Sequence, residues 1–391
     1  MSMEWEEDGV AQAARWRSEA GVAEPSRMMV ADDTLSADVA YREACEGTAL
    51  LWRGDYQNAR HLLDAMARRL ERKPRHGSRK ARGKVPEAPE AAPDPASAFH
   101  RHRQNMAQRA RTLGRLLIPI NADYTIPLRR APDLRQALEE AWGPADDQPS
   151  VVALRELLGI VGAHEWRKKG VEVNALSGVD QGSRIHPWYG VYSPLRGEYI
   201  DLVAEVALPA RDLAFDIGTG TGVLAAVLAR RGVQHIVGTE QDPRVLACAA
   251  ENLQRLGLAD RVSLVEADLW PPGQAGLVVC NPPWVPARPS APIERAVYDE
   301  DSGMLRAFLA GLRSHLAPAG EGWLLLSDLA EHLGLRSREQ LMGWIAAGGL
   351  RIAGTHSIKP RHGKARDADD PLHAARAAEI TTLWRLVAAP D

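Results

Sequence analysis

Cysteine is scarce in this chain. Cys45, Cys248 and Cys280 stand far apart, in no zinc-binding spacing and in no pattern that a disulfide framework would need. They read as reduced, buried thiols of a cytoplasmic protein. The twelve histidines are scattered without paired ligand spacing, so no metal is expected. No apolar run approaches the roughly 18 residues of a membrane span, and an acidic opening of Glu4, Glu6, Glu7 and Asp8 is unlike a secretory signal. Internal repeats are missing too. So is a surplus of charge of one sign: the net charge is −3, and any attraction to nucleic acid has to be local. With 45% hydrophobic and 25% charged residues over 391 positions, the composition is that of a soluble globular chain with room for two domains or one elaborated domain.

What the chain does have is a glycine-punctuated turn, Asp216-Ile217-Gly218-Thr219-Gly220-Thr221-Gly222, between an apolar run (Leu213, Ala214, Phe215) and a helical one (Val223 to Arg230). A strand that ends in alternating glycines and runs straight into a helix is the ligand-binding turn of an open α/β sheet. A dinucleotide site would read G-x-G-x-x-G and aim a helix N-terminus at a pyrophosphate. Here the spacing is G-x-G-x-G and Asp216 closes the strand, which disfavours a nucleotide-dependent oxidoreductase. A carboxylate in that place repels phosphates and suits an ammonium, a sulfonium and sugar hydroxyls, the groups of S-adenosylmethionine. The glycines, with Thr219 and Thr221 between them, let the backbone approach that donor closely.

A second strand, Ile236 to Thr239, ends in Glu240-Gln241, placed to take both ribose hydroxyls. Asp242 caps a helix that Pro243 opens and Gly257 ends. A third strand, Val262 to Glu266, leads to Asp268, expected at the adenine amino group, with Leu269 and Trp270 covering the ring. The stretch that specifies chemistry is Val278-Val279-Cys280-Asn281-Pro282-Pro283-Trp284. Two prolines in succession end the strand at Asn281. The stiff turn offers the Asn281 side-chain oxygen and the Pro282 carbonyl as two acceptors in fixed geometry. Together they can draw an exocyclic NH2 group toward tetrahedral geometry and localise its lone pair for attack on a methyl group. Trp284 supplies a flat face on which a planar substrate would stack. Cys280 reads as packing within a buried strand.

On these residues, Arg184 to Val387 resembles a class I S-adenosylmethionine-dependent methyltransferase of the amino-methylating branch, which includes release-factor glutamine methyltransferases, small-domain methyltransferases of ribosomal guanine and adenine-N6 enzymes. Ser193-Pro194-Leu195-Arg196-Gly197-Glu198-Tyr199 is similar to the proline-arginine-glutamate segment before the sheet in the glutamine enzymes, although the order differs, and Trp284 stands where those enzymes usually have tyrosine. The resemblance implies a doubly wound, mostly parallel seven-stranded Rossmann-like sheet closed by an antiparallel pair. It also implies S-adenosylmethionine as cofactor and a planar NH2 group, on a protein glutamine or an RNA or DNA base, as methyl acceptor. Tyr192 and Arg196 are candidate substrate residues.

Residues 1–70 are expected to be a helical region whose first thirty residues lack periodicity and are partly disordered. Leu50, Leu51, Ala59, Leu62, Leu63, Met66 and Leu70 mark two helices split at Arg53-Gly54-Asp55. Residues 71–98 read as a disordered linker, basic and then rich in proline and alanine. Its tract from Arg68 to Lys84 is suited to RNA or ribosome contact, and on it alone a non-catalytic RNA-binding protein that keeps the fold is the alternative reading. Residues 99–162 form a second helical region, including a helix from Val151 to Val161, and residues 163–391 the methyltransferase domain. The lead-in to that domain is a hairpin pairing Glu165–Val173 with Arg184–Tyr192. After Trp284, the proline-rich loop from Val285 to Ser302 is expected to be a lid or a substrate-selecting wall. The stretch Lys359 to Arg366 is a basic loop.

Overall fold

The structure, a computed structural model, describes residues 2–71, 94–177, 182–361 and 367–390. The chain divides into two compact units, Met1–His164 and Glu165–Asp391.

The first unit is an α/β sheet, where the sequence suggested helices. Its strands are β1 (Ser2–Glu7), β2 (Val10–Arg17), β3 (Met28–Ala31), β4 (Ala49–Trp52), β5 (Leu116–Ile120) and β6 (Ser150–Ala153), ordered β1-β2-β6-β5-β4-β3. The helices are α1 (Ala37–Cys45), α2 (Tyr56–Glu71), α3 (Pro95–Leu113), α4 (Arg135–Trp142) and α5 (Leu154–Lys169), the last of which runs across the division. The first thirty residues are ordered into three strands. Asp8 and Gly9, both at positive φ, make the tight turn between β1 and β2, so the Asp-Gly pair was a hairpin signal in plain view. Leu50 and Leu51 lie in β4, all four residues of which are buried. A four-residue apolar run buried on both sides satisfies helical spacing as readily as strand spacing, and only its neighbours decide. The same ambiguity hid β6 in the run read as one helix from Val151. Pro119 fits in β5 because β4 pairs only with Leu116 and Leu117. Residues 94–98 open α3, with Asp94 as its N-cap, and are not linker. The rest of that expected linker, residues 72–93, lies outside the described residues. Of the three cysteines, Cys248 and Cys280 are buried and Cys45 is exposed, contrary to expectation.

The second unit carries the seven-stranded sheet. Its chain order is β7 (Val171–Glu172), β8 (Arg184–Ile185), α6 (Glu198–Glu205), β9 (Leu213–Ile217), α7 (Val223–Arg230), β10 (His235–Glu240), α8 (Pro243–Arg255), β11 (Val262–Glu266), β12 (Ala275–Cys280), α9 (Gly303–His315), β13 (Leu316–Ser327), α10 (Leu329–His332), α11 (Arg338–Ala347), β14 (Leu350–Ile358), α12 (His373–Ala378) and β15 (Thr381–Ala388). The lead-in hairpin shrinks to β7 and β8, because residues 165–169 still belong to α5. The large sheet runs β11-β10-β9-β12-β13-β15-β14, parallel except for β15, which is antiparallel to both neighbours.

Alternate residues of the central strands enter two different cores. Ala214, Leu277, Val279, Trp323 and Leu325 face one, covered by α6 and α7; Phe215, Ile217, Val278, Cys280, Leu324 and Leu326 face the other, covered by α9 and α11. Strands buried on both faces read as nearly continuous apolar runs, and these do. The strand order reverses between β9 and β12. The crevice beyond the carboxyl ends of strands at such a reversal is where open α/β sheets bind ligands.

Candidate active site

At the tip of β9 the backbone turns through Gly218, Gly220 and Gly222, at φ of 70°, 56° and 80°. A Cβ is unfavourable in this left-handed region, which is why glycine alternates here. The Thr219 N–H donates to the Thr239 carbonyl at 2.9 Å, tying the loop to β10, and the Gly222 N–H donates to the Thr219 carbonyl at 2.9 Å as the chain enters α7.

Asp216 is buried beneath this loop. Its Oδ2 accepts from Thr219 Oγ1 at 2.8 Å and from the Ala225 N–H at 3.0 Å. Burial, opposed by these two bonds, pushes its carboxyl up to about 6. Asp216 therefore clamps the loop onto the first turn of α7 and does not line the cleft above, which departs from its expected place among the residues that contact the donor. Gly222 likewise shapes the loop without lining the cleft.

That cleft has a volume of about 530 Å³. Gly218, Thr219, Gly220 and Thr221 line one side; Glu240 and Gln241 enter from the tip of β10, Asp268 and Leu269 from the segment after β11, and Asn281 and Pro283 from the tip of β12. Glu240 Oε1 accepts the Gln241 N–H at 2.9 Å, and burial raises its carboxyl above the usual range. Leu269 is held at φ 72°, its carbonyl accepting Thr239 Oγ1 at 2.6 Å. A non-glycine residue in this region is strained, and such strain gathers at ligand sites. The ten expected cleft residues among these thus stand together on four strand ends.

The structure also supplies a wall that the sequence left unresolved. Pro292, Ile293 and Arg295 of a short 3-10 turn also line the cleft, with Met304 and Ala307 of α9 and with Tyr192 and Tyr199. The loop from Val285 to Ser302 was expected to contribute a wall, but Met304 and Tyr199 come from helices whose orientation only the assembled sheet reveals. Among the described residues no group of three His, Cys, Asp or Glu side chains is placed to hold a metal ion, and no helix is long and apolar enough to cross a membrane.

A glycine loop and an Asn-Pro-Pro turn on adjacent strand tips, open to one cleft, invite comparison with known proteins. Residues 200–334 match the family described as Methyltransferase small domain. This unit is a class I S-adenosylmethionine-dependent methyltransferase domain. The chain is 33% identical over 149 residues to the release factor glutamine methyltransferase of Cereibacter sphaeroides, covering 34% of this chain and 51% of that protein. It is 28% identical over 146 residues to the tRNA1(Val) (adenine(37)-N6)-methyltransferase of Shewanella loihica, covering 34% and 60%. Over 69 residues it is 42% identical to the ribosomal protein L11 methyltransferase of Pelotomaculum thermopropionicum, covering 17% and 22%. The chain thus spans only part of each relative's length.

Within the methyltransferase domain, the Asn-Pro-Pro-Trp turn differs from expectation in two residues. Pro282 is buried and does not line the cleft. Trp284 does not line it either. Its indole Nε1–H donates to Asn281 Oδ1 at 2.9 Å, its ring meets Tyr199 edge-on at 6.4 Å, and the Arg196 guanidinium lies 4.7 Å from the ring centroid. Arg196 is correspondingly absent from the cleft. It donates to Glu198 at 2.7 Å and to Glu379 at 2.9 Å, and Ser327 Oγ donates to the same Glu379 oxygen at 2.6 Å. Tyr192 does face the cleft, 38% exposed. The tetrapeptide is where sequence placed it, but Trp284 turns toward the packed side.

The methyl donor fits these residues. Left-handed glycines leave the backbone bare against a ligand, Glu240 offers a carboxylate where a ribose would lie, and Val245 and Leu269 add apolar surface for a ring.

Proposed function

We propose that the chain transfers a methyl group from S-adenosylmethionine to a planar NH2 group, on a protein glutamine or on a nucleic-acid base, and that the acceptor belongs to the translation apparatus. The observation that carries this reading is that Asn281 and the Gly218–Thr221 loop line one cleft from neighbouring strand tips. Relatives that modify glutamine and adenine amino groups support the reaction class.

S-adenosylmethionine supplies an activated methyl group, so the chain's task is alignment and desolvation. Gly218 to Thr221 would hold the donor's amino-acid end, Glu240 with Gln241 the ribose, and Asp268 with Leu269 the adenine. The Asn281 oxygen would accept an N–H group of the acceptor. The proton, acidic once the nitrogen is alkylated, would leave to solvent, so none of these residues need act as a strong base. Tyr192 at the open end would contact the acceptor.

Tritiated S-adenosylmethionine and a bacterial lysate, treated in parallel with RNase and with protease, provide the test. Label that survives RNase and is lost to protease assigns a protein acceptor; the reverse assigns RNA. No incorporation, with RNA bound tightly and no donor binding by calorimetry, overturns the reading in favour of a non-catalytic RNA-binding protein. Asn281→Ala is expected to abolish transfer while leaving donor affinity within about tenfold, since it removes an interaction made as the reaction proceeds.

A further inference from the structure

We infer that Trp284 is a positioning residue, whose indole N–H fixes which end of the Asn281 carboxamide faces the acceptor nitrogen. The inference rests on the methyl-transfer reading of Asn281. A carboxamide has two ends of almost equal size, an oxygen that accepts and an NH2 that only donates. Only the oxygen end can receive an N–H from an acceptor amine; the other end would set donor against donor.

Tryptophan's ring nitrogen is a donor without acceptor capacity, so the 2.9 Å contact from Trp284 Nε1 is satisfied by Asn281 Oδ1 alone. A flipped carboxamide would bring two N–H groups together. The oxygen has two lone pairs; the indole takes one and leaves the other for an acceptor in the cleft that Asn281 lines. The indole in turn cannot swing. Arg196 covers a face of it, two carboxylates fix Arg196, Tyr199 abuts it edge-on, and Arg336 Nη1 donates to its carbonyl at 3.4 Å. With Pro282 and Pro283 stiffening the backbone between them, the amide's rotation is the main freedom left to Asn281, and Trp284 removes it. A tryptophan held in this way is unavailable as a stacking face for the acceptor.

The two roles respond differently to a change at position 281. Trp284→Phe keeps a flat ring and removes the donor. Asn281→Asp presents an oxygen at both ends and no longer needs orienting. Rates of label transfer to lysate acceptors should therefore fall about tenfold for Trp284→Phe in the wild-type background and less than about twofold in the Asn281→Asp background, with donor affinity by calorimetry unchanged in every variant. Equal losses in both backgrounds, or no loss in either, overturn the role. In nitrogen-15 spectra the indole N–H resonance that disappears in Trp284→Phe should move downfield in Asn281→Asp, as its acceptor gains charge; an unmoved resonance also overturns it. A wild type that binds the donor and labels neither protein nor RNA sinks the methyl-transfer reading itself, whereas a normal wild-type rate with equal penalties sinks only the part assigned to Trp284.

Discussion

Asp216 keeps a carboxylate where water does not reach, and that has a measurable sign. Its folded-state pKa, about 6, lies above the ordinary carboxylate value of 3.8. The folded state therefore holds this proton more tightly than the unfolded chain does. Stability from this group is fully present below pH 4 and is lost as pH rises to about 6, a change on the order of 3 kcal/mol. Asp216→Asn keeps an oxygen for Thr219 and Ala225 and carries no charge. Its melting temperature should gain on that of wild type between pH 4 and 6 and run parallel to it above 7. A constant difference across the range would mean that Asp216 titrates normally. The residue also marks how far sequence can be read: an acid at a strand end before glycines announces a donor site, but whether it touches the ligand or braces the loop depends on Thr219 and on the first turn of α7. Trp284 teaches the same lesson. Its place beside Asn281 was legible, and its direction was decided by Arg196, more than eighty residues earlier in the chain.

The glycine loop and the ion-paired floor under Trp284 make predictions at the scale of elements. In Gly218→Ala the new Cβ would sit at φ 70° and 3.0 Å from the Met304 methyl group. A cost of about 1–2 kcal/mol in stability and donor binding weaker by about tenfold in calorimetry are expected; unchanged affinity would detach the loop from the donor. Arg196 joins the start of α6, the end of β13 and the residue pair before β15 through Glu198, Ser327 and Glu379. Arg196→Met leaves two buried carboxylates without their cation and should lower unfolding free energy by about 3–5 kcal/mol in a denaturant titration. Long elements with clean signals were legible: α8, with its Asp242 cap and Pro243, and β11 fall where spacing puts them. Short buried strands were not. In β4 and β6 every residue is buried, so no polar residue marks a period of two, and the first unit's sheet is assembled from pairings between distant segments that local patterns do not contain.

At the scale of the whole molecule, the methyltransferase sheet is one unit and the N-terminal α/β unit another. The basic stretch between α2 and α3 is what the sequence adds to them. Replacing Lys73, Arg75, Arg79, Lys80, Arg82 and Lys84 with glutamine should weaken retention of total RNA in a filter-binding assay. The slope of log affinity against log salt should shrink by about 4 if all six meet phosphates, with donor affinity unchanged. An unchanged slope would leave the stretch a merely solvated connection. Within the methyltransferase domain the cleft is built unevenly. One part of its lining comes from regular strand tips, while another comes from residues 285–302, an irregular segment tethered by the bridge from Val285 to Tyr298 and closing through Asp301 and Ser302, both at positive φ. Such a segment can lengthen, shorten or exchange side chains without disturbing a single strand pairing. A transplant of that stretch from another enzyme of this kind would then retarget the chemistry toward a new recipient and leave the fuel supply as it was.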